Sequence, residues 1–141
     1  MQLEGQGRRA VIADGDRAVL ELLQIRLDLA GYHTFLARTG PATLDMVRQV
    51  RPAVLLLDLD LPQLDGLGVL RQLNPRRAAL PFPVLLMGAR LEADVIREAA
   101  ALGVKACLAK PFSGAEVVER VARLFRKPSP PVAAPRPSAL V

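Results

Sequence analysis

Five short apolar runs punctuate the chain: "AVIA" (10–13), "HTFLA" (33–37), "AVLLL" (53–57), "PVLLM" (83–87) and "ACLA" (106–109). Most are continuous rather than alternating, as strands buried on both faces should be. The segments between them carry helical periodicity instead. Residues 17–30 fill a broad apolar face, with Asp16 as the expected N-cap and Gly31 just past the end. A second helix is expected over 41–50, where Pro41 suits a first helical position. Further helices are expected over 66–73 and over 91–102, the latter stopping before Gly103. The last is the clearest: Ser113 and Glu116 form a capping box ahead of Val117, Val118, Val121, Leu124 and Phe125 at helical spacing. Five alternations of strand and helix predict a parallel sheet covered by helices on both faces.

Composition narrows the function classes. At 141 residues the chain is one domain by length, and 51% of it is apolar. The compact part is expected over 8–127. The last fourteen residues, "PSPPVAAPRPSALV", hold five of the twelve prolines and no period, so 128–141 reads as a disordered tail or linker. The N-terminus lacks the apolar core of a signal peptide, and no stretch is long enough to cross a bilayer. One cysteine and one histidine exclude a disulfide framework and a zinc site, and a cytoplasmic location is expected. The net charge of +5 comes mostly from sixteen arginines scattered over every helix. No aromatic residues interleave with them as a stacking platform would need, so a solvated basic surface is expected rather than nucleic-acid binding.

In an open parallel sheet, ligands sit beyond the carboxyl ends of the strands. The residues following the expected strands are Asp14-Gly15-Asp16, Asp58-Leu59-Asp60, Gly88 and Lys110. Several acids and one lysine therefore converge on one rim. Hard carboxylate oxygens suit Mg²⁺, and the lysine suits a transferred phosphoryl group. A carboxylate directly after a buried apolar run is costly unless it is paired or solvated, which marks Asp58 as a site residue, active or vestigial. A metal-assisted phosphoryl site, a hydrolase nucleophile with its acid and a disused site all remain open at this point. Cys107 reads as a small buried residue, and His33 as structural.

Across 8–127 the chain resembles the receiver domain of two-component response regulators. The resemblance rests on "VIADGD", "LLLDLDLPQLDG", "FPVLLMGA" and "CLAKPF", in order and at this spacing. It implies a flavodoxin-like three-layer fold with strand order 2-1-3-4-5, and a signalling module rather than an enzyme. It also implies that Asp58 is the phospho-acceptor for a phosphohistidine of a histidine kinase or phosphotransfer protein. Mg²⁺ would be held by Asp14, by Asp58 and by the backbone carbonyl of Asp60. Lys110 would pair with Asp58 and then with a phosphoryl oxygen, aimed by a cis Lys110-Pro111 bond. The face made by the fourth helix, fifth strand and fifth helix would be the homodimer or target surface.

Three positions depart from the family pattern. Gly15 replaces a second metal-binding acid, Gly88 replaces the switch Thr or Ser, and Cys107 replaces the switch aromatic. Weakened Mg²⁺ binding and atypical switching are expected. As compensation, the Asp60 carboxylate is expected to turn toward the site, because side chains two apart on an extended segment point the same way. Asp16 is a weaker metal candidate. A phosphorylation-independent pseudo-receiver is the main alternative. A haloacid dehalogenase-like phosphatase, with Asp58 as nucleophile and Asp60 as acid, is a remote one, since its motif follows the first strand rather than the third.

Overall fold

The computed structural model describes residues 4–126. Strand and helix alternate through them as β1 (Arg9–Ala13), α1 (Arg17–Leu29), β2 (His33–Ala37), α2 (Gly40–Val50), β3 (Val54–Asp58), α3 (Gly66–Leu73), β4 (Val84–Gly88), α4 (Ala93–Ala101), β5 (Ala106–Ala109) and α5 (Gly114–Phe125). The strands form one sheet in the order β2-β1-β3-β4-β5, with every neighbouring pair parallel. This is the flavodoxin-like architecture that the resemblance implies. The proline-rich segment 128–141 lies outside the described residues, as does Lys127 at the end of the expected domain. Among the described residues no helix is long and apolar enough to cross a membrane.

The continuous apolar runs divide by alternation between two cores. Val11, Ala13, Leu55, Leu57, Val84 and Leu86 pack on one face with Leu44 and Val47 of α2, Val69 and Leu70 of α3 and Ala99 of α4. Ile12, Val54, Leu56, Leu85 and Met87 pack on the other with Leu20, Leu23 and Leu27 of α1 and Val117 and Val121 of α5. Residues adjacent in a strand point to opposite faces, so a run such as 54–57 must be apolar throughout. The edge strands β2 and β5 are only partly buried.

Helix starts follow the local chemistry. Asp16 accepts a hydrogen bond from the Ala18 amide at 2.8 Å, and the Ser113–Glu116 capping box forms in full. Two caps went unread in the sequence: Thr39 opens α2, and Asp65 opens α3 by accepting from the Gly68 amide at 2.7 Å. The fourth helix is shorter than the 91–102 expected, running Ala93–Ala101 with Leu91 outside it. Strand β4 begins at Val84 rather than Pro83, which has no N–H for the ladder. It runs on to include Gly88. Strand β3 likewise extends one residue further than expected, so Asp58 is its last member.

Candidate functional site

Parallel register brings the strand ends level. Ala13 pairs with Leu57, Asp58 with Met87 and Gly88 with Ala109. The next residues of β1 and β5 are Asp14 and Lys110, so the rim anticipated from sequence exists as one cleft. It is lined by Asp14, Gly15, Asp16, Asp58, Asp60, Pro62, Ala89 and Lys110. Asp14 and Asp58 are 1% and 4% exposed, the only buried acids among the described residues. The Lys110 Nζ lies between them, 2.6 Å from Asp14 Oδ2 and 3.3 Å from Asp58 Oδ1. The Asp16 amide donates to Asp14 Oδ1 at 2.9 Å, and the Asp60 amide to Asp58 Oδ1 at 3.3 Å. The contacts of the Asp58 carboxylate with the Asp60 amide and Lys110 are made at Oδ1, and Asp58 borders the cleft. The Lys110-Pro111 peptide is cis.

Charge in the cleft is unbalanced. Burial pushes the Asp14 carboxyl above the usual carboxylate value, against the pull of its hydrogen bonds from Lys110 and the Asp16 amide; the Asp58 charge adds to the upward push. Burial also works against the Lys110 ammonium. The hydrogen bond to Asp14 and the charges of both acids nevertheless raise Lys110 above the ordinary lysine value. Two buried carboxylates against one ammonium leave a net negative pocket whose free ligand atoms are oxygens. Such a pocket fits Mg²⁺, which takes one or two carboxylates and keeps several waters. No three His, Cys, Asp or Glu side chains among the described residues are disposed as a metal cluster. Any ion would therefore rely on Asp14, Asp58, backbone oxygen and water.

A family model described as the response regulator receiver domain matches residues 10–122. The chain belongs to this family. The response regulator MprA of Mycobacterium tuberculosis (strain ATCC 25618 / H37Rv) is 40% identical over 129 residues, covering 89% of this chain and 54% of that protein. The chain thus spans about half the length of the curated relatives it matches. Among solved structures, the Francisella response regulator 1452 receiver domain superposes with a TM-score of 0.75 at 26% identity, covering 83% of this chain and 95% of the other. The signal receiver domain of the putative response regulator NarL from Mycobacterium tuberculosis gives a TM-score of 0.73 at 28% identity, covering 82% and 94%. Receiver domains are generally signalling modules of two-component systems rather than enzymes. The family match, with Asp58 at the end of the third strand rather than the first, favours the receiver reading over the dehalogenase-like one.

Within this receiver domain the two glycine departures are packed over rather than left open, and Cys107 is half-buried. A Cβ on Gly15 would meet the Pro62 ring at 3.0 Å. One on Gly88 would meet Leu59 Cβ and Leu91 Cδ2, each at 3.2 Å. Burial pushes the Cys107 thiol up, opposite to what a reactive cysteine needs, and Arg120 donates to the Cys107 carbonyl at 3.1 Å. Pro62, Leu59 and Leu91 were missed as site residues because their contacts with Gly15 and Gly88 arise only through folding. Leu59 is 8% exposed although it sits between two acids in sequence.

The extended geometry assumed around Asp60 is corrected. The chain leaves extended conformation at Asp58, and Leu59–Asp60 form a turn, so the same-side argument for the Asp60 carboxylate fails. Asp60 is exposed at the cleft rim. Gly66 is needed for close approach rather than for turn conformation. A Cβ there would lie 2.6 Å from the Asp58 carbonyl oxygen, where α3 starts against the end of β3. Asp16 lines the cleft, but its carboxylate is engaged as the α1 cap.

Proposed function

We propose that this receiver domain accepts a phosphoryl group on Asp58 from the phosphohistidine of a histidine kinase or phosphotransfer protein. A carboxylate oxygen of Asp58 attacks phosphorus, the new O–P bond replaces the N–P bond, and the histidine, protonated on its other ring nitrogen, leaves as neutral imidazole. A carboxylate needs no general base for this attack, only an offset for the charge that gathers around it. Lys110 supplies part of that offset, and its ammonium is already within reach of Asp58. Asp14, Asp58 and the Asp60 carbonyl would hold Mg²⁺, which would supply the remaining positive charge opposite the phosphoryl oxygens. The carboxylates of Asp60 and Asp16, as distinct from the Asp60 carbonyl, contribute through water. The observation that carries the reading is one ammonium lodged between two buried carboxylates at the ends of two neighbouring strands, with Asp58 bordering the cleft.

Signalling from that site is atypical. A phosphoryl group shifts a two-state element only by contacts that differ between the states. Position 88 has no side chain to offer such a contact, and the space where one would begin is taken by Leu59 and Leu91. The same packing favours a second reading, a pseudo-receiver that docks partners without phosphorylation. Intact mass after incubation with acetyl phosphate and Mg²⁺ separates the two. The first reading expects a gain of one phosphoryl group in the wild type and none in Asp58→Ala. An unchanged wild-type mass would leave only the docking role.

A further inference from the structure

The end of the sheet opposite the cleft carries a second concave site. A groove of about 660 Å³ is walled there by Pro52 ahead of β3, Leu73 closing α3, and Pro81 and Phe82 ahead of β4. That volume lies within the roughly 300–1,000 Å³ range of small-molecule sites. Arg48 and Arg51, both exposed, join the lining from the end of α2, and no acid lies in it among the described residues. Arginines in a last helical turn ordinarily answer the negative end of the helix. Here that need is met from elsewhere. The Arg9 guanidinium of β1 donates to the Val50 and Arg51 carbonyls at 2.9 and 3.2 Å. Neither Arg48 nor Arg51 forms an ion pair within the described residues, although Asp45 stands one turn before Arg48 on α2. Arg51 also sits at φ 50°, in the left-handed region that glycine adopts without cost. Glycine would serve that backbone better, so what arginine adds there is its side chain.

We propose that this groove binds a small aromatic carboxylate. The carboxylate accepts charge-assisted hydrogen bonds from the Arg48 and Arg51 guanidiniums, and its ring lies against Pro52, Pro81 and Phe82. The two parts of the site choose the ligand class together. Guanidiniums without an acidic partner select an anion. Walls of proline and phenylalanine rings select a rigid, flat body over a flexible chain, which loses more freedom on binding. A doubly charged phosphate would cost more than a carboxylate to strip of water beside the same apolar walls. The groove lies where β3 and β4 begin, whereas Asp58 ends β3. Binding there stands whether or not Asp58 is phosphorylated.

Titration of the isotope-labelled full chain with naphthoate, followed by amide chemical shifts, tests this. Saturable shifts centred on Arg48, Arg51, Leu73 and Phe82 are expected, with a dissociation constant below about 1 mM. Neutral naphthamide and ring-free acetate each lack one half of the ligand and should bind at least roughly tenfold more weakly. Arg51→Gly should weaken naphthoate about tenfold while the melting temperature holds or rises, because glycine suits that backbone. Arg48→Glu combined with Arg51→Gly should reverse the preference, rejecting naphthoate and admitting naphthylmethylammonium, with thermal melts confirming that the variant folds. Naphthoate that leaves these amides unmoved overturns the proposal, as does naphthamide that binds equally well. Shifts that gather in the Asp58 cleft instead, or binding indifferent to Arg51→Gly and Arg48→Glu, overturn it equally.

Discussion

Asp14 and Asp58 are almost wholly removed from water, and Lys110 is, among the described residues, the one cation that touches both. Removing one charge from such a cluster changes the others. Lys110→Met leaves two buried carboxylates without a counter-charge and should cost about 1–3 kcal/mol, since a partly screened pair falls below the fully buried range. Urea denaturation measures the loss. The pH dependence has a definite sign, because the folded value of Lys110 is raised. Its stabilising share is complete below the ordinary lysine value of 10.5 and is lost as pH rises through the higher folded value. The wild type should therefore lose its advantage over Lys110→Met in strongly alkaline solution. Asp58→Asn removes a repulsive neighbour of Asp14 and should leave the domain as stable at neutral pH or more so, by about 0.5–1 kcal/mol. A marked loss of stability in Asp58→Asn would contradict this charge balance.

Elements place these residues through a few close approaches. The start of α3 lies against the end of β3, and Gly66 is the point of contact. Alanine there favours the helix by about 1 kcal/mol. It also sets a Cβ against the Asp58 carbonyl, and the contact with rigid backbone should win. Gly66→Ala is expected to lose about 1–3 kcal/mol net. A neutral or stabilising result would show that α3 can slide. The loop between β4 and α4 is filled in a similar way by Leu91, but with a flexible side chain. Gly88→Thr alone should destabilise the domain by about 1–2 kcal/mol through overpacking, and Leu91→Ala in the same chain should recover part of the loss. A double-mutant cycle on chemical denaturation measures that coupling. These contacts explain why the site was only half readable. Asp14, Asp58 and Lys110 follow apolar runs and announce themselves by position, whereas Pro62, Leu59 and Leu91 look like ordinary apolar residues.

At the scale of the whole molecule, the site exists only while the sheet is intact, because Asp14, Asp58 and Lys110 come from three different strands. A cation held by Asp14 and Asp58 binds the folded chain and not the unfolded one, so it must raise the unfolding temperature by mass action. Millimolar Mg²⁺ is expected to raise the melting temperature by a few degrees when the ion is about tenfold above its dissociation constant. Asp14→Asn should abolish the rise. No rise in the wild type would remove the metal from the proposed chemistry. The two cores on either side of β1, β3 and β4 tie this rim to every helix.

The sequence by itself determined the alternation of strand and helix, the parallel sheet and the acids and lysine on its rim. Those features depend on local periodicity, on capping and on which residue follows a buried run. Tertiary structure alone decided that Lys110 bonds Asp14 more closely than Asp58, and that Gly15 and Gly88 lie under side chains from other elements. Each of these is a contact between residues distant in the chain. No pattern along the sequence records such a distance, because it is set by how the helices settle on the sheet.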